Sequence, residues 1–229
     1  MIMNLTRSEK DAVQLHGAFA VICAALLAAP VQAGIGIKLL ALVLLYNVSV
    51  PVLARLRGHG EWTPLWKFAL VVSVFQVFPD WFLSAQLGVL VFPEDGLFKI
   101  GTVSGYMAGL WAIPFFIIGF LGLRVEARLG GRSALIAVAL ASLAVFGMSE
   151  MTVWMLPSWY AVNLKGMAGH VALYILVPEV VLGLSFYRAW RAAAGKSFGT
   201  AVLYGFLVML LYLGSACFFY FLVEKIILG

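Results

Sequence analysis

Long apolar stretches, separated by short polar ones, run along nearly the whole chain. Seven of them are roughly 20 residues long, and they lack the strict alternation of apolar and polar residues that barrel strands require. Because a backbone in hydrocarbon must satisfy its own hydrogen bonds, each stretch predicts a membrane-spanning helix. The predicted bounds are 13–33, 35–54, 65–90, 103–123, 133–156, 167–188 and 199–223.

The segments between these stretches are short and rich in turn residues. The sequence Pro-Glu-Asp-Gly at 93–96 is typical of a turn, and the pair Gly130 and Gly131 separates the fourth stretch from the fifth. So little chain is left between the helices that they must pack against one another. We therefore predict an all-α, integral membrane seven-helix bundle in which residues 1–229 form a single domain.

The composition supports a membrane protein. Hydrophobic residues make up 64% of the chain and charged residues 11%, whereas a soluble domain carries about 25% charged residues. The net charge of +5 arises from basic residues that cluster at the predicted helix ends, so it does not indicate nucleic-acid binding. We expect the protein in a bacterial inner (cytoplasmic) membrane, with membrane lipid as its partner, and predict no oligomeric state.

The distribution of lysine and arginine predicts the orientation. Basic residues are favoured in the cytoplasmic loops of membrane proteins. Eleven of them lie on the side of the N-terminus and four on the other side, which places the N-terminus in the cytoplasm and the C-terminus outside. The eleven are Arg7, Lys10, Arg55, Arg57, Lys67, Arg124, Arg128, Arg132, Arg188, Arg191 and Lys196.

Three acidic residues lie inside the apolar stretches. Asp80, Glu150 and Glu179 belong to the third, fifth and sixth stretches, and all three are expected in the extracytoplasmic (outer) half of the bundle. An ionisable group within a membrane span is costly, and it marks a functional site by default. These three residues are our predicted catalytic groups.

Other features of the same helices point to a chamber in the bundle. Gln76, Asp80 and Ser84 recur at helical spacing, and this polar stripe should face the interior rather than lipid. Pro79 and Pro178 directly precede two of the acids, and each removes a backbone donor and is expected to distort its helix.

We predict that seven further side chains bind substrate in this chamber. His170 and Glu179 are nine residues apart, about half a turn out of phase on a straight helix, so only one of them faces the chamber unless Pro178 reorients the segment. The seven predicted substrate-binding residues are Gln76, Trp81, Tyr106, Trp111, Trp154, His170 and Tyr174.

No cofactor and no metal are predicted. The chain has no Glu-x-x-His pairs for a di-iron site, no phosphate-binding glycine loop and no GxSxG nucleophile motif. One alternative stays open, because His170, Glu150 and one further acid would supply three ligands for zinc.

Three functions compete at this point. The first is a membrane-embedded cyclase, isomerase or hydratase acting on a lipophilic substrate such as an isoprenoid, in which Asp80 donates a proton and Glu150 or Glu179 accepts one. The second is a small proton- or cation-coupled transporter. The third is a non-catalytic subunit that binds lipid or pigment. An enzyme predicts an enclosed outer-half cavity, a transporter predicts water at both faces, and a subunit predicts paired acids without a cavity.

Overall fold

A computed structural model of the chain describes residues 5–30 and 33–229. The predicted all-α class is confirmed, and this part of the chain contains six helices that are long and apolar enough to cross a membrane. The end of the first predicted stretch falls partly on residues 31 and 32, which lie outside the described residues.

The described residues form seven α-helices, one of them a single turn, and three short strand pairs at one end of the bundle. The helices are α1 Arg7–Ala28, α2 Ile35–Arg57, α3 Trp62–Trp81, α4 Met107–Leu110, α5 Ala112–Thr152, α6 Leu176–Ala193 and α7 Phe198–Tyr220. Wider π-helical turns, Phe82–Gln86 and Phe221–Ile227, continue α3 and α7. The strands are β1 Leu90–Val91, β2 Lys99–Ile100, β3 Val103–Ser104, β4 Tyr160–Ala161, β5 Met167–Ala168 and β6 Val171–Ala172.

Helix α1 begins at Arg7, earlier than the apolar pattern predicts. The cause is a capping box, in which the Thr6 side chain accepts from the Glu9 backbone N–H at 3.3 Å. The Glu9 carboxylate in turn accepts from the Thr6 backbone N–H at 2.7 Å. Two backbone donors that a helix start leaves free are thereby satisfied, so the helix extends into the polar segment.

Helix α5 folds back on itself at Gly130. Its backbone there has φ 81° and ψ 172°, angles that no helix contains. The rings of Phe115 and Phe146 lie 6.4 Å apart, whereas 31 residues of straight helix would separate them by about 46 Å. A Cβ placed on Gly122 would meet Val138 at 2.8 Å. The first limb, 112–129, therefore packs antiparallel against the second limb, 131–152.

The strand pairs occupy segments predicted as loops or helix starts. β1 pairs with β4, so that Leu90 lies opposite Ala161. β5 and β6 form a hairpin whose turn contains Gly169, with φ 62°, and His170. The sixth stretch was therefore predicted to become helical too early, since residues 167–172 are a β-hairpin and α6 begins at Leu176.

The two ends of the bundle are held by different chemistry. At one end, here the charged end, ion pairs join the helix termini: Asp11 lies 2.8 Å from His59, and Glu61 lies 3.1 Å from Arg124. The opposite end, here the hairpin end, carries the three strand pairs. There the Gly36 backbone N–H donates to the Asp95 carbonyl at 2.9 Å.

Packed aromatic rings fill the half of the bundle toward the charged end. The rings of Phe115 and Phe186 stack at 4.6 Å, and Trp62 meets Phe116 edge to face at 5.5 Å. These rings are fully or almost fully buried, so side chains fill the centre of this half of the bundle. The aromatic layer consists of Trp62, Phe68, Phe115, Phe116, Phe120 and Phe186.

Candidate functional site

A cavity of about 310 Å³ lies in the half of the bundle toward the hairpin end. Its walls come from α3, α4, both limbs of α5, α6 and α7, and residues on either side of β1 and β4 close it at the hairpin end. Apolar and aromatic side chains dominate the lining, among them Phe92, Phe146 and Trp159.

The three predicted catalytic carboxyls all line this cavity. Asp80 comes from α3, Glu150 from the second limb of α5 and Glu179 from α6. Asp80 and Glu179 are each only 3% exposed. Three helices far apart in sequence thus bring their acids to one hollow.

Asp80 is held in place by a tryptophan. Trp111, at the junction of α4 and α5, donates its indole N–H to Asp80 Oδ2 at 3.0 Å. The Trp111 ring lies 5.5 Å from Phe146 and 6.1 Å from Tyr212, so it is fixed on both sides. One oxygen of Asp80 is therefore engaged by a donor, and the carboxyl is oriented at the cavity wall.

Glu179 has a free buried oxygen. Its Oε2 is buried and has no hydrogen-bond partner among the described residues. A buried polar atom normally has a partner, so this oxygen is suited to a bound molecule or a water. Pro178 does not distort α6 as predicted, because it lies in the first helical turn, where a backbone N–H has no partner within the helix.

Glu150 lies in the last turn of the second limb and faces two spaces. It lines the cavity and also a small pocket of about 30 Å³. Trp154 and His170 line only the small pocket, and their rings stack at 4.0 Å. Trp154 does not share the cavity face of Glu150 as predicted, because the α-helix ends at Thr152 and a tighter turn redirects the chain.

The structure separates the seven predicted substrate-binding residues into three groups. Trp111 and Tyr174 line the cavity, whereas Trp154 and His170 line the small pocket. Of His170 and Glu179, only Glu179 lines the cavity. His170 lies at the tip of the β5–β6 hairpin rather than on a helix, so the phase argument does not apply to it.

Gln76, Trp81 and Tyr106 line neither space. Gln76 is fully buried one turn below Asp80, toward the charged end, and its amide atoms have no partner among the described residues. Trp81 packs over Gly101, where an added Cβ would meet its ring at 2.6 Å. The Tyr106 hydroxyl donates to the Ser158 carbonyl at 3.4 Å and so supports the cavity wall from behind.

The sequence analysis missed several lining residues, among them Tyr212 and Trp159. Tyr212 of α7 is 2% exposed and lines the cavity, and its position within an apolar stretch was the available signal. Trp159 also lines the cavity. Tryptophans near a span end usually belong to the membrane interface, so the sequence offers no sign of this role.

The arrangement suits proton transfer to and from an apolar guest. None of the described residues lining the cavity is Lys, Arg or His. Nor are any three His, Cys, Asp or Glu side chains in the described ranges grouped closely enough to hold a metal ion. The cavity therefore offers carboxyl groups at separate points of an apolar surface, and its described lining has no basic side chain to bind an anion.

Comparison with known proteins gave one match. No curated protein and no solved structure matched the chain. Residues 77–223 match a family model described as a domain of unknown function, DUF6989. This range covers well over half of the chain and every cavity-lining residue except Leu39. The chain belongs to the DUF6989 family.

Proposed function

We propose that the protein is a membrane-embedded enzyme that acts on a neutral lipophilic substrate by carboxyl acid–base chemistry. The observation that carries this proposal is that Asp80, Glu150 and Glu179 line one otherwise apolar cavity of about 310 Å³. Acid-catalysed cyclisation, hydration or isomerisation of an isoprenoid would use such a site. Each of these reactions begins with protonation of an apolar molecule and ends with loss of a proton, which in hydration follows the capture of water.

In this proposal the three carboxyls have different roles. Asp80 is the acid, because the Trp111 N–H engages Oδ2 and leaves the other oxygen to carry the transferred proton. Glu150 or Glu179 is the base that receives a proton. The faces of Trp111, Tyr174 and Tyr212 are placed to stabilise positive charge that develops on the substrate.

The lining also limits the substrate class. Ligand pockets range from about 300 to 1,000 Å³, so a cavity of about 310 Å³ accepts one small lipophilic molecule. A phosphate group would meet three carboxyls and no basic side chain among the described lining residues. The proposed substrate therefore carries no phosphate and reacts at an alkene, epoxide or carbonyl.

The two competing functions fit the same observations less well. A carrier must expose its acids to both faces, yet the aromatic layer fills the bundle between the cavity and the charged end. A non-catalytic subunit predicts acids paired within the bundle, whereas Glu179 Oε2 has no partner among the described residues.

We further propose seven crossings with the charged end in the cytoplasm and the cavity in the outer half. The fold-back at Gly130 supports this count, because each limb of α5 is then one crossing. For a test, Cys23 and Cys217 are replaced, and Arg132→Cys or Tyr160→Cys is introduced. An impermeant thiol reagent should label Tyr160→Cys on intact cells and Arg132→Cys only after permeabilisation. The reverse pattern would refute the orientation.

The enzymatic proposal is tested with neutral isoprenoid alkenes, epoxides and carbonyl compounds added to the purified protein in nanodiscs. Gas chromatography coupled to mass spectrometry should separate a rearranged or hydrated product with the wild type and none with Asp80→Asn or Glu150→Gln. Glu94→Gln is the matched control, since it removes an exposed acid near the same end of the bundle. Equal product yield from the wild type and both cavity variants would exclude a proton-transfer role for these carboxyls.

A further inference from the structure

A thin wall separates the cavity from the small pocket. Four residues line both spaces: Glu150, Val153, Trp159 and Ala161. The small pocket measures about 30 Å³, and a water molecule needs about 10–15 Å³ of such space. It therefore has room for about two waters, directly against the carboxyl of Glu150.

The far side of the small pocket lies at the protein surface. Trp154 is 46% exposed and Tyr160 is 43% exposed. His170, also exposed, projects from the tip of the β5–β6 hairpin and stacks on Trp154 at 4.0 Å. The Trp154 indole N–H donates to the Met151 carbonyl at 2.8 Å, which fixes the ring in this position. The stacked pair forms the boundary between the small pocket and the surroundings of the hairpin end.

The three carboxyls differ in their relation to this pocket. Asp80 and Glu179 line the cavity alone, whereas Glu150 lines both spaces. The titratable groups that line the cavity with Glu150 are Asp80, Tyr174, Glu179 and Tyr212, and the small pocket adds Tyr160 and His170.

We propose that Glu150 exchanges its proton with water at the hairpin end through the small pocket. The carboxyl O–H passes its proton to a pocket water, and a proton leaves from that water to bulk water past the His170–Trp154 pair. The reverse transfer restores the carboxyl. The imidazole of His170 can accept and return a proton on this route.

The use of this route in turnover rests on the proposed function. It lets Glu150 release the proton taken from the substrate while the product still fills the cavity. Asp80, which faces the cavity alone, regains its proton from water that enters the cavity after the product has left. The route thus assigns Glu150 as the base and Asp80 as the acid.

The exchange can be measured without substrate. The full-length protein in nanodiscs, at mildly acidic pH, is transferred from H₂O to D₂O, and the carboxyl C=O infrared bands are followed with time. Glu150→Gln and Asp80→Asn identify the two bands by their loss. We expect the Glu150 band to shift at least several-fold faster than the Asp80 band.

Two variants should change the rate of Glu150 proton exchange in opposite directions. Ala161→Leu fills the wall and should slow the Glu150 exchange several-fold, whereas Trp154→Ala opens the pocket and should accelerate it. Ala168→Leu is the matched control, because Ala168 is exposed on β5 and lines neither space. Should Ala161→Leu fail to fold, Trp154→Ala still decides the question.

The proposal is overturned if Glu150 exchanges no faster than Asp80, or if its rate is the same in wild type, Trp154→Ala and Ala168→Leu. Because turnover is not needed, this result is independent of the enzymatic proposal. Fast Glu150 exchange in a protein without activity would support the exchange route and refute the enzymatic proposal. Slow Glu150 exchange in an active protein would refute the exchange route and support the enzymatic proposal.

Discussion

The charged end and the cavity both contain buried acids, and their surroundings differ. At the charged end the buried acids Glu9 and Asp11 contact Arg128 and His59, and the partly exposed Glu61 contacts Arg124. In the cavity Asp80 accepts from an indole N–H, and Glu179 leaves an oxygen free among the described residues. Acids with basic partners join helix ends. Acids that face an apolar cavity without such partners are available to a guest molecule.

The largest expected effect concerns Asp80. Asp80→Asn keeps the size of the side chain and removes the transferable proton, so turnover should fall by roughly 10²- to 10⁴-fold. Thermal denaturation in detergent should change little, because the amide still fits the site. If the variant unfolds at a much lower temperature and retains full turnover, Asp80 stabilises the fold as the acids of the charged end do and has no catalytic role.

The next prediction compares the loss of stability caused by overpacking in the half of the bundle toward the charged end and in the half that contains the cavity. Gly122 lies against Tyr187 and Val138, where an added Cβ would meet side-chain atoms at 2.6 Å and 2.8 Å. Gly122→Leu should therefore destabilise the protein by about 3 kcal/mol through overpacking.

Ser149→Leu serves as the matched substitution for Gly122→Leu in the cavity wall. It should lower the denaturation temperature little and should reduce substrate binding, because it occupies free space. Equal destabilisation by both substitutions would show that the two halves are packed alike.

A smaller loss is expected when an acid at the charged end is removed. Asp11 and His59 are 8% and 7% exposed, and their side chains meet at 2.8 Å. Asp11→Ala leaves the imidazole without its partner and should cost about 2 kcal/mol of stability. Turnover at a temperature where the variant is folded should equal that of the wild type. A loss of turnover in the folded variant would show that the charged end, and not the cavity alone, contributes to activity.

The smallest effect concerns the donor to Asp80. Trp111→Phe keeps most of the ring contact and removes the N–H, which should lower turnover by about tenfold, equivalent to about 1.4 kcal/mol. KM should change little, because phenylalanine keeps an aromatic ring at the cavity wall and the lost N–H acts through Asp80. A large rise in KM with unchanged kcat would instead assign Trp111 to substrate packing.

The sequence predicted the helices and the shared position of the acids, and it failed at the hairpin end. Helical length and apolar pattern follow directly from the bilayer, and a carboxyl cannot face lipid, so Asp80, Glu150 and Glu179 had to turn inward. The pairing of Leu90 with Ala161 has no comparable local signal, since it joins segments about seventy residues apart.

The failures for particular site residues have the same origin. Helical spacing placed Trp154 beside Glu150 and put His170 at the start of a helix, yet tight turns and a hairpin replace the helix at both positions. Trp81 lies on α3 next to Asp80 and consequently points away from it, toward Gly101. Helical spacing therefore located the acids. It misplaced the side chains beyond the helix ends, and direct adjacency to Asp80 was a wrong guide to the position of Trp81.

The two limbs of α5 are joined at the backbone reversal at Gly130, which is the pivot of the angle between them. Glu150 lies twenty residues from this pivot, a lever arm of about 30 Å. Opening the angle between the limbs by about 5° would move Glu150 by about 2.6 Å relative to Trp111 on that geometry. A small change of that angle at the charged end is thus amplified at the cavity, where the acids lie.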